Sequence, residues 1–141
     1  MDIRALTDVY AVSPQITPED IPAIAAAGFR RIICNRPDEE VVDGLRSEHV
    51  RLAAEAAGLE FVAIPLAQGD SFSSDIIRQR DAIADAEGPV LAYCASGTRS
   101  TIVWMFLSAR SQPVGDLLEC ANRAGYPLAA LRPQLEAAAA G

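Results

Sequence analysis

Length, composition and charge exclude several classes of protein. The 141 residues fit one domain, 1–141, that can bury a hydrophobic core without disulfides or a metal ion. A formal net charge of −7 opposes binding to nucleic acid or anionic lipid, and no apolar run approaches the roughly 20 residues of a membrane helix. Three cysteines without zinc-ligand spacing and one histidine predict no metal site and a cytoplasmic location.

Predicted strands alternate with predicted helices along the chain. The strands are expected at residues 8–12, 31–34, 61–65 and 89–93. The first helix is expected to begin at Thr17 and stop at Gly28, and the second to be capped by Ser47. From the second onward, the helices are expected at residues 47–57, 75–86, 100–109, 114–124 and 128–139. This order predicts an α/β fold with a mostly parallel central sheet of about four to five strands, flanked by helices.

A loop of small residues, Cys94-Ala95-Ser96-Gly97-Thr98-Arg99, joins the last predicted strand to the next helix. In open α/β sheets, ligands bind outside the carboxyl ends of the strands, where the N-terminus of the following helix presents unpaired N–H groups. Ala95, Ser96, Gly97 and Thr98 allow the backbone to curl around a bound group, and Gly97 can adopt dihedral angles closed to other residues. We therefore predict an anion-binding nest in which these four residues bind substrate.

Cys94 is the predicted nucleophile of this loop. The N–H dipoles and the Arg99 guanidinium are expected to lower the pKa of Cys94 below its free value of about 8.5, so that no histidine base is needed. The planar fork of Arg99 suits an oxyanion of sulfate-like or phosphate-like geometry. Ser100 is predicted to donate to the Cys94 sulfur and stabilise it as a leaving group. An inert buried cysteine is the alternative, which the coincidence of strand, glycine, arginine and helix cap disfavours.

The segment from Leu91 to Ser100, with Asn35-Arg36-Pro37-Asp38 upstream, resembles the DUF442 family of bacterial proteins. The resemblance covers nearly the whole chain, from about Asp8 to about Tyr126. It implies a dual-specificity-phosphatase-like fold and an activity of the sulfurtransferase or phosphatase-like kind. Some members of that family are fused to a persulfide dioxygenase of metallo-β-lactamase fold, so the resemblance also implies such a dioxygenase as a partner.

The length of the loop distinguishes two activities. Four residues separate Cys94 from Arg99, whereas tyrosine and dual-specificity phosphatases have five and commonly carry a histidine where this chain has Tyr93. A loop of this length resembles that of rhodaneses, and a tighter ring of N–H groups should favour a persulfide sulfur over a phosphoryl group. The sequence thus favours a sulfurtransferase that takes sulfane sulfur from thiosulfate or glutathione persulfide onto Cys94 and passes it to an acceptor, without a cofactor.

Three other functions remain open. A phosphatase would form a phosphocysteine at Cys94 from a phosphate ester and needs a general acid for the leaving group. Asp70 is the first candidate and Asp75 the second, although Gly69-Asp70-Ser71 is also an ordinary turn composition, which is the favoured interpretation. A non-catalytic domain that binds an anion or a partner is the third hypothesis, and the same reactive cysteine would also suit a redox sensor.

Three further residues have competing interpretations. Arg36 either binds substrate or pairs with Asp38 to fix its loop, and the structural role is favoured. Cys34 is predicted to be a buried spectator, with a role as resolving thiol for Cys94 as the alternative. Phe106 is predicted to lie in the core behind the site, with a role as a stacking platform as the alternative.

Overall fold

The chain adopts an α/β fold around a mostly parallel five-stranded sheet, as the sequence predicted. The structure is a computed structural model that describes residues 1–69 and 72–141. The strands are β1 (Arg4–Ala5), β2 (Tyr10–Ser13), β3 (Arg31–Cys34), β4 (Glu60–Ala63) and β5 (Val90–Tyr93). Their order is β1-β2-β5-β3-β4, with β1 antiparallel to β2 and the other pairs parallel. Strand β1 was not predicted from the sequence, because two residues are too few to show the alternating apolar pattern of a strand.

The helices differ from the predicted ones mainly at their ends. They are α1 (Ile21–Ala26), α2 (Ser47–Ala56), α3 (Ile76–Ala84), α4 (Thr98–Ser108), α5 (Val114–Arg123) and α6 (Arg132–Ala140). Short 3-10 turns precede α1 at Pro18–Asp20 and α6 at Ala129–Leu131, so both helices begin later than predicted. No helix in the described part of the chain is long and apolar enough to cross a membrane.

The central strand β5 is buried along its whole length, with β2 on one side and β3 on the other. Successive residues point to opposite faces of the sheet. Leu91 packs with Ile32 in the cluster that includes residues of α1 and α2, whereas Ala92 packs with Ile33 in the cluster that includes residues of α3 to α6. Burial on both faces explains the continuous apolar run that identified this strand in the sequence.

The register of these three strands brings their carboxyl ends to one edge of the sheet. Tyr93 pairs with Ser13 of β2 and with Cys34 of β3. The backbone N–H of Asn35 donates to the Tyr93 carbonyl at 2.8 Å. The next residue after each strand, including Cys94 after β5, therefore emerges at the same place, where ligands bind in folds of this kind.

Candidate active site

The Cys94 loop wraps around its own cysteine sulfur. Cys94 is fully buried at the end of β5, and the Gly97 backbone N–H donates to its Sγ at 3.2 Å. Gly97 has φ +94°, which turns the chain directly into α4, so the helix begins at Thr98, two residues earlier than predicted. The sulfur thus lies at a helix N-terminus that favours negative charge, as an anion-binding nest requires.

Tyr126 fixes the shape of this loop from outside. Its hydroxyl donates to the Ser96 carbonyl at 2.9 Å. A Cβ atom added at Gly97 would lie 2.1 Å from the same hydroxyl oxygen. The loop therefore requires glycine at this position for two reasons, its positive φ and the close approach of Tyr126.

Arg99 is held rigidly by a bidentate ion pair. Its Nη1 and Nη2 donate to Oε2 and Oε1 of Glu40, each at 2.8 Å, and Nη1 also donates to the Leu66 carbonyl at 2.8 Å. The Arg99 guanidinium lowers the pKa of Glu40, and Glu40 raises the pKa of Arg99, with a smaller contribution from Cys94. Arg99 is thus a fixed cation beside the sulfur, oriented by a carboxylate from the loop after β3.

Ser100 does not take its predicted role as a donor to the Cys94 sulfur. Its Oγ donates instead to Oδ1 of Asn35 at 2.8 Å. Asn35 Nδ2 donates to Gln79 Oε1 at 2.9 Å, and Gln79 Nε2 donates to the Tyr10 hydroxyl at 3.1 Å. All four side chains are buried, so the serine belongs to a polar network that joins α4 to β2, to α3 and to the residue after β3. The prediction for Ser100 is wrong because the helix directs this side chain towards Asn35.

Gln79 hydrogen-bonds to two other members of this network, Asn35 and Tyr10, so its substitution should destabilise the fold. We expect Gln79→Ala to lower the free energy of unfolding by about 3 kcal/mol, because Asn35 and Tyr10 lose a partner and a cavity remains. Urea denaturation measures the loss. The neighbouring Arg78→Ala variant is the control and should change stability by less than about 1 kcal/mol, since Arg78 is exposed and its partner Asp75 is only partly buried. An equal decrease in the free energy of unfolding in both variants would contradict a stabilising role for the buried network.

Arg36 contacts Glu40 and not Asp38, which corrects the predicted pairing. Arg36 Nε donates to Glu40 Oε1 at 3.2 Å, the same oxygen that Arg99 binds. Asp38 instead accepts from the Ser47 backbone N–H at 2.8 Å, so the carboxylate of Asp38, and not Ser47, caps α2. Arg36 therefore helps to position Glu40, and its contact with substrate stays a prediction.

Cys34 and Asp70 complete the predicted set. Burial raises the pKa of Cys34, whose Sγ donates to the Arg36 carbonyl at 3.3 Å, an arrangement that suits an inert thiol. Asp70 lies outside the described residues, as does the turn that it was expected to form with Ser71. Asp75, the second candidate acid, pairs with Arg78 at 3.0 Å.

A pocket of about 760 Å³ adjoins the loop. Ala95, Ser96, Thr98 and Arg99 line one part of it. Phe106 is half-buried and also lines it, so this side chain faces the pocket as well as the core in which it was predicted. Within residues 1–69 and 72–141, no cluster of three His, Cys, Asp or Glu side chains is placed to hold a metal ion.

Three residues of this site were not identified from the sequence. They come from separate segments and meet only through the fold: Glu40 and Tyr126 contact the loop, and Gln79 belongs to the polar network behind it. A weak signal existed for Gln79, since it shares one face of α3 with Ile76 and Ile83. A polar residue on an apolar helix face indicates a buried hydrogen-bonding role.

Sequence comparisons identify relatives over most of the chain. Residues 2–111 match the family described as "Beta-lactamase hydrolase-like protein, phosphatase-like domain". The Beta-lactamase hydrolase-like protein of Agrobacterium fabrum is 33% identical over 120 residues, which are 83% of this chain and 28% of that protein. The chain thus spans about a quarter of the length of the curated relatives that it matches.

Solved structures share the fold. The crystal structure of a candidate phosphatase from Neisseria meningitidis Z2491 has a TM-score of 0.86 and 36% identity, covering 98% of this chain and 99% of the other. A candidate DUF442 phosphatase from Shewanella putrefaciens CN-32 has a TM-score of 0.73 and 16% identity, covering 99% and 91%. These matches confirm the DUF442 resemblance and the phosphatase-like fold. They support the phosphatase alternative over sulfur transfer and give no support to a persulfide dioxygenase partner.

Proposed function

We propose, from the premise that the chain belongs to the phosphatase-like domain family of beta-lactamase hydrolase-like proteins, that it is a cysteine-dependent hydrolase of phosphate monoesters. The observation that carries this proposal is the geometry of the loop. Cys94 Sγ lies under the N-terminus of α4, and the guanidinium of Arg99 is fixed beside it. A nucleophile and a rigid cation around one small cradle match the charge of a phosphoryl group.

The reaction proceeds in two displacements at phosphorus. The Cys94 thiolate attacks the phosphorus atom, a sulfur–phosphorus bond forms, and the bond to the ester oxygen breaks. A general acid protonates the departing alkoxide, and Asp70 is the residue that we propose for this step. Water then attacks the phosphocysteine and gives a proton to the Asp70 carboxylate. The sulfur–phosphorus bond breaks, inorganic phosphate leaves, and the thiolate is restored.

The loop and Arg99 act on the charge of the transferred group. N–H groups at the start of α4 and the guanidinium donate to the non-bridging oxygens, whose charge they stabilise during transfer. Because Glu40 and Leu66 already hold Arg99, no side-chain reorganisation is needed when substrate binds. Ala95, Ser96, Gly97 and Thr98 supply the backbone of the cradle. Ser100 acts indirectly, by fixing the first turn of α4 against Asn35.

Sulfur transfer is the second candidate, since one observation favours it. Four residues separate Cys94 from Arg99, and this shorter spacing resembles that of rhodaneses. In that reaction the thiolate attacks the outer sulfur of thiosulfate, sulfite leaves, and a Cys94 persulfide remains. The family relationship favours phosphate ester hydrolysis, so we rank sulfur transfer below it.

The test compares the two reactions in one set of proteins. The wild type, Cys94→Ser and the control Cys34→Ser are incubated with p-nitrophenyl phosphate, and phosphate release is measured alongside intact mass after an acid quench. Phosphate release and a phosphoryl adduct that need Cys94 but not Cys34 would support the proposal. A parallel incubation with thiosulfate and cyanide measures thiocyanate. A Cys94 persulfide with thiocyanate turnover, and no phosphate release, would make the protein a sulfurtransferase. If neither phosphate nor thiocyanate is released, a binding role is favoured.

A further inference from the structure

The pocket beside the Cys94 loop is larger than a phosphoryl group requires. Its volume of about 760 Å³ lies within the range of about 300–1,000 Å³ that is common for small-molecule sites. Ser96, Thr98 and Arg99 form the part next to the cradle. The rest of the volume therefore has room for the organic body of a substrate whose anionic head lies in the loop.

The walls of this pocket away from the loop are largely apolar. They include the side chains of Phe72, Ile76, Ile102, Phe106, Leu131 and Ala138. Among the described residues that line it, Arg99 alone carries a charge. Burial against such walls favours apolar groups and penalises hydroxyls or charges that find no partner. Gln68, Ser73 and Gln134 also line the pocket, so it combines one cationic end with a largely apolar remainder.

The apolar lining follows a strip along α4. Thr98, Ile102 and Phe106 are spaced four residues apart, lie on one face of the helix and all line the pocket. Eight residues of α-helix rise about 12 Å, so the strip leads well away from the Cys94 loop. Leu131, from the 3-10 turn before α6, and Ala138 of α6 line the same pocket. An elongated apolar group fits this arrangement better than a single ring.

We propose that the substrate is a phosphate monoester of an extended aliphatic chain, with the phosphate in the Cys94 loop and the chain along the Ile102–Phe106 strip. This inference rests on the proposed function, which supplies the phosphate ester. The inference adds the chemical class of the leaving group, an aliphatic alcohol.

Binding to the Cys94→Ser protein tests this inference without requiring turnover. Isothermal titration calorimetry would compare butyl, hexyl and octyl phosphate, each below its micelle concentration, together with octanol. Each methylene that enters an apolar site should raise affinity about threefold to fourfold, or on the order of a hundredfold from butyl to octyl phosphate. In the same background, Ala138→Phe fills part of the pocket and should flatten this dependence. Ala137→Phe, on the exposed face of α6, is the matched control and should keep the increase in affinity with chain length.

The outcomes separate this inference from the proposed function. An affinity that rises with chain length, falls in Ala138→Phe and persists in Ala137→Phe supports the chain site. Equal affinity for the three phosphates overturns it, and phosphate release by the wild type from p-nitrophenyl phosphate would then leave the proposed function intact. Octanol binding as tightly as octyl phosphate would overturn the link between the pocket and the anion cradle, as would the same chain-length dependence in both phenylalanine variants.

Discussion

Replacing Arg99 by alanine is expected to lower kcat/KM for p-nitrophenyl phosphate by about a thousandfold or more. Loss of one preorganised donor to a developing oxyanion typically costs about a hundredfold to a thousandfold, and a cation that stabilises phosphoryl transfer contributes still more. Arg99 is buried and doubly bonded to Glu40, so its charge is delivered at a fixed position. Steady-state kinetics measure the effect, and Arg99→Lys should recover little, because a lysine lacks the planar fork.

Arg99→Ala also leaves Glu40 without its main partner, and a second variant separates the two effects. Glu40→Gln keeps the shape but removes the charge that orients the guanidinium. We expect a smaller loss, about tenfold, in kcat/KM, because the Leu66 carbonyl still holds Nη1. Arg51→Ala, in an exposed ion-pair cluster on α2, is the control and should leave the kinetics unchanged. Equal activity of Glu40→Gln and wild type would contradict a positioning role for Glu40.

The pH dependence of stability follows from the same ion pair. Arg99 lowers the pKa of Glu40 in the folded protein below its unfolded value. A carboxylate with a lowered folded pKa stabilises the fold fully above its unfolded pKa, and this contribution is lost as pH falls through the folded pKa. The stability difference between wild type and Glu40→Gln should therefore be constant near neutral pH and shrink at acidic pH. A difference that grows on acidification would contradict the ion pair.

The features that were predicted from the sequence are those whose residues all lie in one contiguous segment of the chain. Strand β3 has the predicted bounds, Arg31–Cys34, because a short buried apolar run between a glycine and a polar loop permits few alternatives. The Cys94 loop was found for the same reason, since the cysteine, the glycine and the arginine follow one another within six positions. Local patterns of this kind need no knowledge of the tertiary fold.

The parts that were missed or wrong depend on contacts between distant segments. Glu40 precedes Arg99 by 59 residues, and nothing in the acidic run Asp38-Glu39-Glu40 distinguishes the residue that reaches the guanidinium. Ser100 was assigned to the Cys94 sulfur because of its nearness in sequence, whereas its position in the first turn of α4 directs it to Asn35, the residue after β3. The preference for sulfur transfer rested on loop length alone, which the family relationship outweighs.

Gly97→Ala is the second substitution with a large expected effect, and Tyr126 explains part of it. An alanine at φ +94° is strained by about 1–2 kcal/mol, and its Cβ would lie 2.1 Å from the Tyr126 hydroxyl oxygen. We expect a total loss of about 3 kcal/mol in the free energy of unfolding and a strong loss of activity, because the loop must move. Gly44→Ala is the control, since a Cβ there meets nothing within 4 Å.

A double-mutant cycle with Tyr126→Phe isolates the contribution of the hydroxyl. Removing the hydroxyl relieves the closest clash, whereas the ring carbon Cζ, 2.9 Å from the added Cβ, and the strain of the positive φ remain. The Gly97→Ala substitution should therefore cost less in the Tyr126→Phe background than in the wild type, by about 1 kcal/mol, and should remain destabilising. Urea denaturation of the four proteins gives this coupling. Strict additivity would mean that the Tyr126 hydroxyl does not restrict Gly97, and full recovery would mean that neither the ring contact nor the left-handed backbone of the Cys94 loop costs an alanine anything.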